Sequence, residues 1–231
     1  MATRPIFVPI TDDRFLVEEV SCDFKWHPGM AVSQKQKSIA ALHAAGNEKG
    51  ITPILEVSTK SISPYGQKLS AFNLAVELAE GARIALECAF QGSKVFERGG
   101  PFSDLYHKPA GEARMDPRLK ESGALVGFQY AGERWELEPK TAFYDWLYLN
   151  TAKELVEVVD EMREFRGFTD IEFNPEKSLN CQARSAALLV ALLERRCLDQ
   201  AVGSRESFLR TLRASGDGYV KIRESEGMLF G

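Results

Sequence analysis

Apolar and polar positions between residues 33 and 45 recur at helical spacing, and Gly46 stands where a C-terminal cap is expected. Residues 51–58 carry β-branched side chains between turn signals and predict a strand; residues 61–67, with Pro64 and Gly66, predict a loop. Two extended stretches follow, 71–78 and 83–86, joined across Ala79-Glu80-Gly81-Ala82 in the pattern of a hairpin with glycine in its turn. Residues 87–96 predict a helix that stops at Gly99-Gly100-Pro101. The stretch 101–123, rich in Pro, Gly and charge, predicts a long loop holding one turn of helix. Residues 140–164 predict two helices meeting near Asn150 and Thr151. Asn174-Pro175 has the form of an N-cap followed by proline at the first helical position, opening a helix that ends near Arg196. Its residues 186–193 are apolar on every side, the mark of a central buried helix. Residues 204–213 predict a last amphipathic helix before a Gly-containing tail. Helices around one small antiparallel sheet define an α+β class, mainly helical.

The chain has 231 residues, with no repeat or linker to divide it, so residues 1–231 are expected to form a single domain. A net charge of -4 excludes a global basic field that would hold long nucleic acid by its phosphates alone. If DNA is the substrate, one modified nucleotide must be gripped. The first 14 residues lack the apolar region of a secretory signal, and the longest apolar run, 186–193, is too short to span a bilayer. Cys22, Cys88, Cys181 and Cys197 form no C-x-x-C pair and are expected to be reduced, in a cytoplasmic protein with no membrane association. His27, His43 and His107 are equally scattered, so neither a metal nor another cofactor is expected.

On the predicted 87–96 helix, Glu87, Gln91 and Lys94 fall at i, i+4 and i+7 and share one face. A carboxylate, an amide and an amine so placed could bind a sugar and act on its anomeric carbon. The same residue types also make an ordinary solvated face. Glu87 follows an apolar run at a strand-to-helix boundary, which favours its burial.

Residues 69–96, LSAFNLAVELAEGARIALECAFQGSKVF, resemble the signature of the NADAR superfamily, an L-S-x-F stretch leading through a hairpin to a helix reading E-x-A-Y/F-Q-x-x-K-x-F. Leu69, Ser70 and Phe72 match the first part, and Glu87, Ala89, Phe90, Gln91, Lys94 and Phe96 the second; Glu80-Gly81 stands where the family has an Asp-Gly turn. Downstream, Trp135 with Lys140 resembles a tryptophan-then-helix segment, Asp170–Phe173 a D-x-x-W segment with phenylalanine for tryptophan, and the stretch from Ser178 through Asn180 to Arg184 the closing helix pattern. The resemblance covers residues 69–196. The segment Phe24-Lys25-Trp26-His27, residues 33–38, the 99–106 loop and residues 172–178 are similar to the branch of the superfamily encoded beside DarT toxins.

This resemblance implies a NADAR fold and an N-glycosidase that removes ADP-ribose from guanine in DNA, single-stranded by preference, as antitoxin to a DarT-type ADP-ribosyltransferase. It implies Glu87, Lys94 and Asp170 as the catalytic groups. Ser70, Phe72, Gln91, Trp135, Glu172, Phe173, Asn180 and Arg184 follow as substrate-binding candidates, with Gln182 a weaker one. Trp135 and Phe173 could stack on a base, although aromatic residues are more often core, and phenylalanine at 173 lacks the indole N–H donor. Arg184 could pair with a diphosphate or simply occupy the edge of its helix. Lys94 could attack ribose C1 as a neutral amine if its pKa is depressed, or pair with Glu87 and leave the attack to water. Two other readings remain open: an N-glycosidase acting on phosphoribosyl-amine intermediates of the riboflavin pathway, and an antitoxin that binds ADP-ribose or its toxin without cleaving anything.

Overall fold

The computed structural model describes residues 1–12, 14–79, 81–214 and 219–223; Glu80 of the expected turn and most of the expected tail lie outside the described residues. β1 (Ala2–Pro9) and β2 (Val17–Phe24) form an antiparallel hairpin, Ala2 opposite Phe24 and Pro9 opposite Val17. The apolar pattern assigns no element there, because Pro5 and Pro9 each remove a ladder N–H from β1 and so hide it from a reading by sequence. In α1 (Val32–Glu48), Gly46 lies inside the helix instead of capping it. A Cβ there would come within 2.5 Å of the δ-methyls of Ile6 and Ile54, so its absence lets α1 lie close on the strands. The cap falls at Lys49.

β3 (Ile54–Glu56) is the ordered centre of the expected 51–58 strand. The expected 61–67 loop is instead a short helix, α2 (Pro64–Lys68), with proline at its start. β4 (Ala75–Glu77) and β5 (Arg83–Ala85) form the expected hairpin. α3 (Leu86–Gly92) ends sooner than the pattern predicts, and the chain turns at Ser93 into β6 (Lys94–Phe96). The supposed long loop at 101–123 is largely helical: a 3-10 turn (Ser103–His107), α4 (Ala110–Met115) and α5 (Arg118–Glu121). Asp116 ties these together, meeting Lys108 at 2.9 Å and Arg118 at 2.8 Å.

β6 continues into an antiparallel sheet with β7 (Leu125–Tyr130) and β8 (Glu133–Trp135). α6 (Ala142–Ala152) and α7 (Val156–Met162) are the two helices expected in 140–164. After β9 (Gly167–Thr169), Asn174 Oδ1 accepts from Glu176 N at 3.1 Å, as an N-cap would, but this turn closes without starting a helix. The buried helix α8 (Gln182–Glu194) begins later, followed by α9 (Leu198–Val202), α10 (Arg205–Ala214) and β10 (Val220–Arg223).

The α+β class stands, with its largest sheet mixed. The order is β10-β2-β1-β9-β3, with β10·β2 and β3·β9 parallel and the other pairs antiparallel. Successive strand residues point to opposite faces. Ile6 packs with Ile39 and Leu42 of α1, whereas Phe7 packs with the cluster that contains Leu188 and Leu189 of α8. The sheet is therefore covered by α1 on one face and α8 on the other, and α6 packs against α8. No helix among the described residues is long and apolar enough to cross a membrane.

Candidate active site

α3 starts where β5 ends, and its first two N–H groups, which no helix can satisfy internally, are taken up by the preceding turn. Leu86 N donates to Leu74 O at 2.8 Å and Glu87 N to Ala71 O at 3.0 Å. The turn is held in place by Tyr148, whose hydroxyl donates to Leu69 O at 2.9 Å, and by Gln182, whose amide oxygen accepts from Ala71 N at 2.8 Å. This lattice sets Ser70, Phe72 and Glu87 along one wall of a cleft of about 430 Å3. Ser70 is buried, while Phe72 remains partly exposed.

Gln91 lies one helical turn after Glu87, and its amide donates to Glu87 Oε1 at 2.9 Å. Lys94 is not on that helix. From the first position of β6 its Nζ donates to Gln91 Oε1 at 2.7 Å, so a helix-to-strand corner delivers the amine that a longer helix was expected to carry. Gly100 makes the corner possible: its φ is +87°, and a Cβ would lie 2.2 Å from Lys94 O. Among the described residues no ion pair joins Lys94 to Glu87; the Gln91 amide stands between them. Burial pushes the Lys94 amine down to about 8, opposed by the Glu87 charge and assisted by Arg114. The Nζ also sits 4.8 Å from the Phe90 ring centroid.

Asp170 follows β9 and also lines the cleft. Glu172 N donates to its Oδ1 at 3.0 Å, and the Gln182 side chain hydrogen-bonds to it as well. Burial nonetheless raises its carboxyl well above the ordinary range. Tyr144, on α6, contributes a buried phenol that burial and the nearby Glu87 keep protonated. The arrangement places a carboxyl group, an amine whose proton affinity burial lowers and a second carboxyl whose proton affinity burial raises around one space.

The structure brings Ser70, Phe72, Glu87, Gln91, Lys94, Asp170, Glu172, Phe173 and Asn180 to this cleft, with Gln182 beside them. Glu172 is at its rim, paired with Lys35 of α1 at 3.1 Å. Phe173 is 8% exposed and packs on Phe7, so it forms wall and not an open stacking face.

Two expected binding residues are elsewhere. Trp135 is 1% exposed in the core, its ring 5.1 Å from Trp146 and 5.6 Å from Phe143. It ends β8 on the covered side of its sheet, so it offers no face to a base. Arg184 is turned into the interior, where Asp145, Tyr219 and Glu19 are its electrostatic neighbours. Two residues along a helix is a rotation of roughly 200°, so with Gln182 facing the cleft Arg184 faces away. The residues missed are Ser58, Thr59, Lys60, Phe90, Arg114, Tyr144, Asn174 and Ser178. Arg114 sits in the segment taken for loop, and Lys60 follows the strand end. The family resemblance takes in Phe90, in the helix motif, and Asn174 and Ser178, in the 172–178 segment; no pattern in the sequence marks the others. No group of three or more His, Cys, Asp or Glu among the described residues is placed to hold a metal ion, and the four cysteines are free.

A family model described as DarT1-associated NADAR antitoxin matches residues 2–219. The chain belongs to that family. The match extends well beyond residues 69–196 and takes in β1, β2 and α1, and with them four of the five strands of the sheet beside Asp170. Comparison with curated proteins gave no match.

Proposed function

We propose that this antitoxin-family chain is an N-glycosidase that removes ADP-ribose from guanine in DNA, reversing the modification made by a DarT-type ADP-ribosyltransferase. The observation that carries the reading is the Glu87–Gln91–Lys94 hydrogen-bond chain, which points a partly deprotonated amine into the cleft lined by Asp170. Neutral Lys94 attacks ribose C1, and the bond from C1 to the guanine nitrogen breaks as Asp170 gives that nitrogen a proton. The proton lost by Lys94 passes through a water to Glu87, with Gln91 holding the two groups in place. As the ring opens, Glu87 returns that proton to the ring oxygen while C1 and Lys94 form an imine, and water adds to the imine carbon and expels the amine, freeing ADP-ribose.

Phe72 takes over the stacking role first assigned to Trp135, because it is partly exposed at the cleft. Lys60 and Arg114 take over the diphosphate role first assigned to Arg184; both line the cleft, and among the described residues neither forms an ion pair. The cleft volume suits one nucleotide-sized group and its attached base.

The test is incubation with a guanine-ADP-ribosylated single-stranded oligonucleotide, followed by mass spectrometry, with borohydride added in a parallel sample. Loss of ADP-ribose and a trapped adduct at Lys94 are expected. Loss without an adduct, in an active Lys94→Arg variant, would leave water as the nucleophile. An unchanged oligonucleotide would turn attention to phosphoribosyl-amine substrates, and to binding of ADP-ribose or the toxin without cleavage.

A further inference from the structure

Glu56 ends β3 and is 2% exposed, yet it does not line the cleft and takes no part in the reaction outlined above. A carboxyl buried this deeply is costly unless its oxygens are matched. Three donors meet it: Ser58 Oγ at 2.7 Å and Ile171 N at 2.9 Å on Oε1, and Thr169 Oγ1 at 2.7 Å on Oε2. Thr169 and Ile171 are the residues on either side of Asp170. The β3–β9 register places Glu56 opposite Thr169, so one side chain ties down both flanks of Asp170.

The donors differ in kind. Thr169 Oγ1 also lies 2.9 Å from His43 Nε2 of α1, and burial holds that imidazole neutral, down to about 4. A neutral imidazole can donate or accept, and a hydroxyl can turn, so Thr169 serves Glu56 whether it is ionised or protonated. Ser58 has the same freedom. Asp170, by contrast, meets three donors that cannot reverse, Glu172 N, Phe173 N and the Gln182 amide, and all favour its ionised form. The groups around the pair are Tyr144 and Tyr148 from α6 and Cys181 before α8, all pushed upward by burial and uncharged at neutral pH. Glu172 is met by Lys35, and Glu87, Lys94, Lys60 and Arg114 share the cleft with Asp170. A buried carboxyl and a half-buried one that feel each other's charge do not ionise together readily.

We propose that Glu56 is a positioning residue for Asp170: it grips the chain on both flanks of that residue and keeps the pair's shared proton on its own side chain, leaving Asp170 to exchange a proton with the cleft. This rests on the glycosidase reading only for the use made of Asp170; the pair itself needs no substrate.

Carboxyl 13C NMR of the full chain, titrated from about pH 5 to pH 9, reads the pair in the wild type, Glu56→Gln and Asp170→Asn. In the wild type Asp170 ionises first while Glu56 stays protonated, and the Asp170 signal shows a second inflection as Glu56 follows. Glu56→Gln removes that second inflection, and Asp170→Asn lowers the Glu56 pKa by about one unit or more. Two independent titrations in the ordinary carboxylate range, or an Asp170 curve unaltered by Glu56→Gln, would overturn the proposal. If Glu56→Gln does not fold, the wild-type and Asp170→Asn titrations decide alone. On the modified oligonucleotide, Glu56→Gln is expected to move the alkaline limb of kcat, set by Asp170, to lower pH while KM holds, because no neighbouring carboxylate is left to hold the Asp170 proton; an unmoved limb counts against the role. A coupled titration without turnover sinks the glycosidase reading and leaves the pair, whereas uncoupled titrations sink the pair whatever the turnover.

Discussion

Single side chains in this protein carry roles that residue type alone does not announce. Lys94 is an ordinary lysine in sequence, and burial is what brings its amine down to about 8. Lys94→Arg and Glu87→Gln are each expected to slow release of ADP-ribose by about 10²–10⁴-fold, and Lys94→Arg to abolish the borohydride adduct; retained turnover in both would remove the proposed chemistry. Trp135 and Phe72 make the opposite pair. Trp135→Ala empties a packed core and is expected to cost about 3–5 kcal/mol in a denaturant melt. Phe72→Ala is expected to weaken oligonucleotide binding by about 1–3 kcal/mol with little change in that melt. The reverse pattern would return Trp135 to the binding surface.

At the scale of elements, the corner between α3 and β6 decides where the Lys94 amine sits. Helical spacing correctly places Gln91 one turn from Glu87, but it cannot say that the helix stops at Gly92 and hands Lys94 to a strand. Gly100→Ala would set a side chain at φ +87° and 2.2 Å from Lys94 O. The substitution is expected to lower stability by more than about 1–2 kcal/mol and to reduce turnover by displacing Lys94; a variant with unchanged melting temperature and rate would show the corner to be more tolerant than its geometry allows. α4 matters for another reason, since it brings Arg114 to the cleft from a segment that reads as loop. Arg114→Ala is expected to weaken ADP-ribose by about tenfold or more in calorimetry, the loss of a charge-assisted hydrogen bond. Unaltered affinity would remove Arg114 from the diphosphate contact.

For the whole molecule, the buried titratable groups set how stability varies with pH. Glu56 and Asp170 hold protons in the folded chain that the unfolded chain has released, so their contribution is full below the ordinary carboxylate range and is lost as pH rises through neutrality. His43 acts the other way: lowered from 6.5 to about 4, it costs stability as pH falls across that interval. Lys94, lowered from 10.5 to about 8, weakens the fold at neutral pH and relieves that cost as pH rises across its interval. Between pH 6.5 and about 8 the carboxyl pair therefore acts alone, and the melting temperature is expected to fall there in scanning calorimetry. A rise over that interval would mean that the two carboxyls ionise in the ordinary range.

What the sequence determined by itself is local. The hairpin around Gly81, the two helices in 140–164 and the all-round apolar stretch of α8 follow from period and turn chemistry, which a segment encodes in its own residues. The motif residues from Ser70 to Lys94, with Asp170 and Asn180, could likewise be named in advance as candidates. What only the tertiary structure decided is which surface covers which. β1 became a strand despite Pro5 and Pro9 because β2 and β9 pair on its two sides; Gly46 became a contact point because Ile6 and Ile54 lie beneath it. Trp135 and Arg184 turned inward, and Glu56 closed on both flanks of Asp170, through partners many residues away in the chain. Periodicity says that a side chain has a face; the neighbour on that face is chosen by long-range packing, and burial, charge and proton affinity follow from that neighbour.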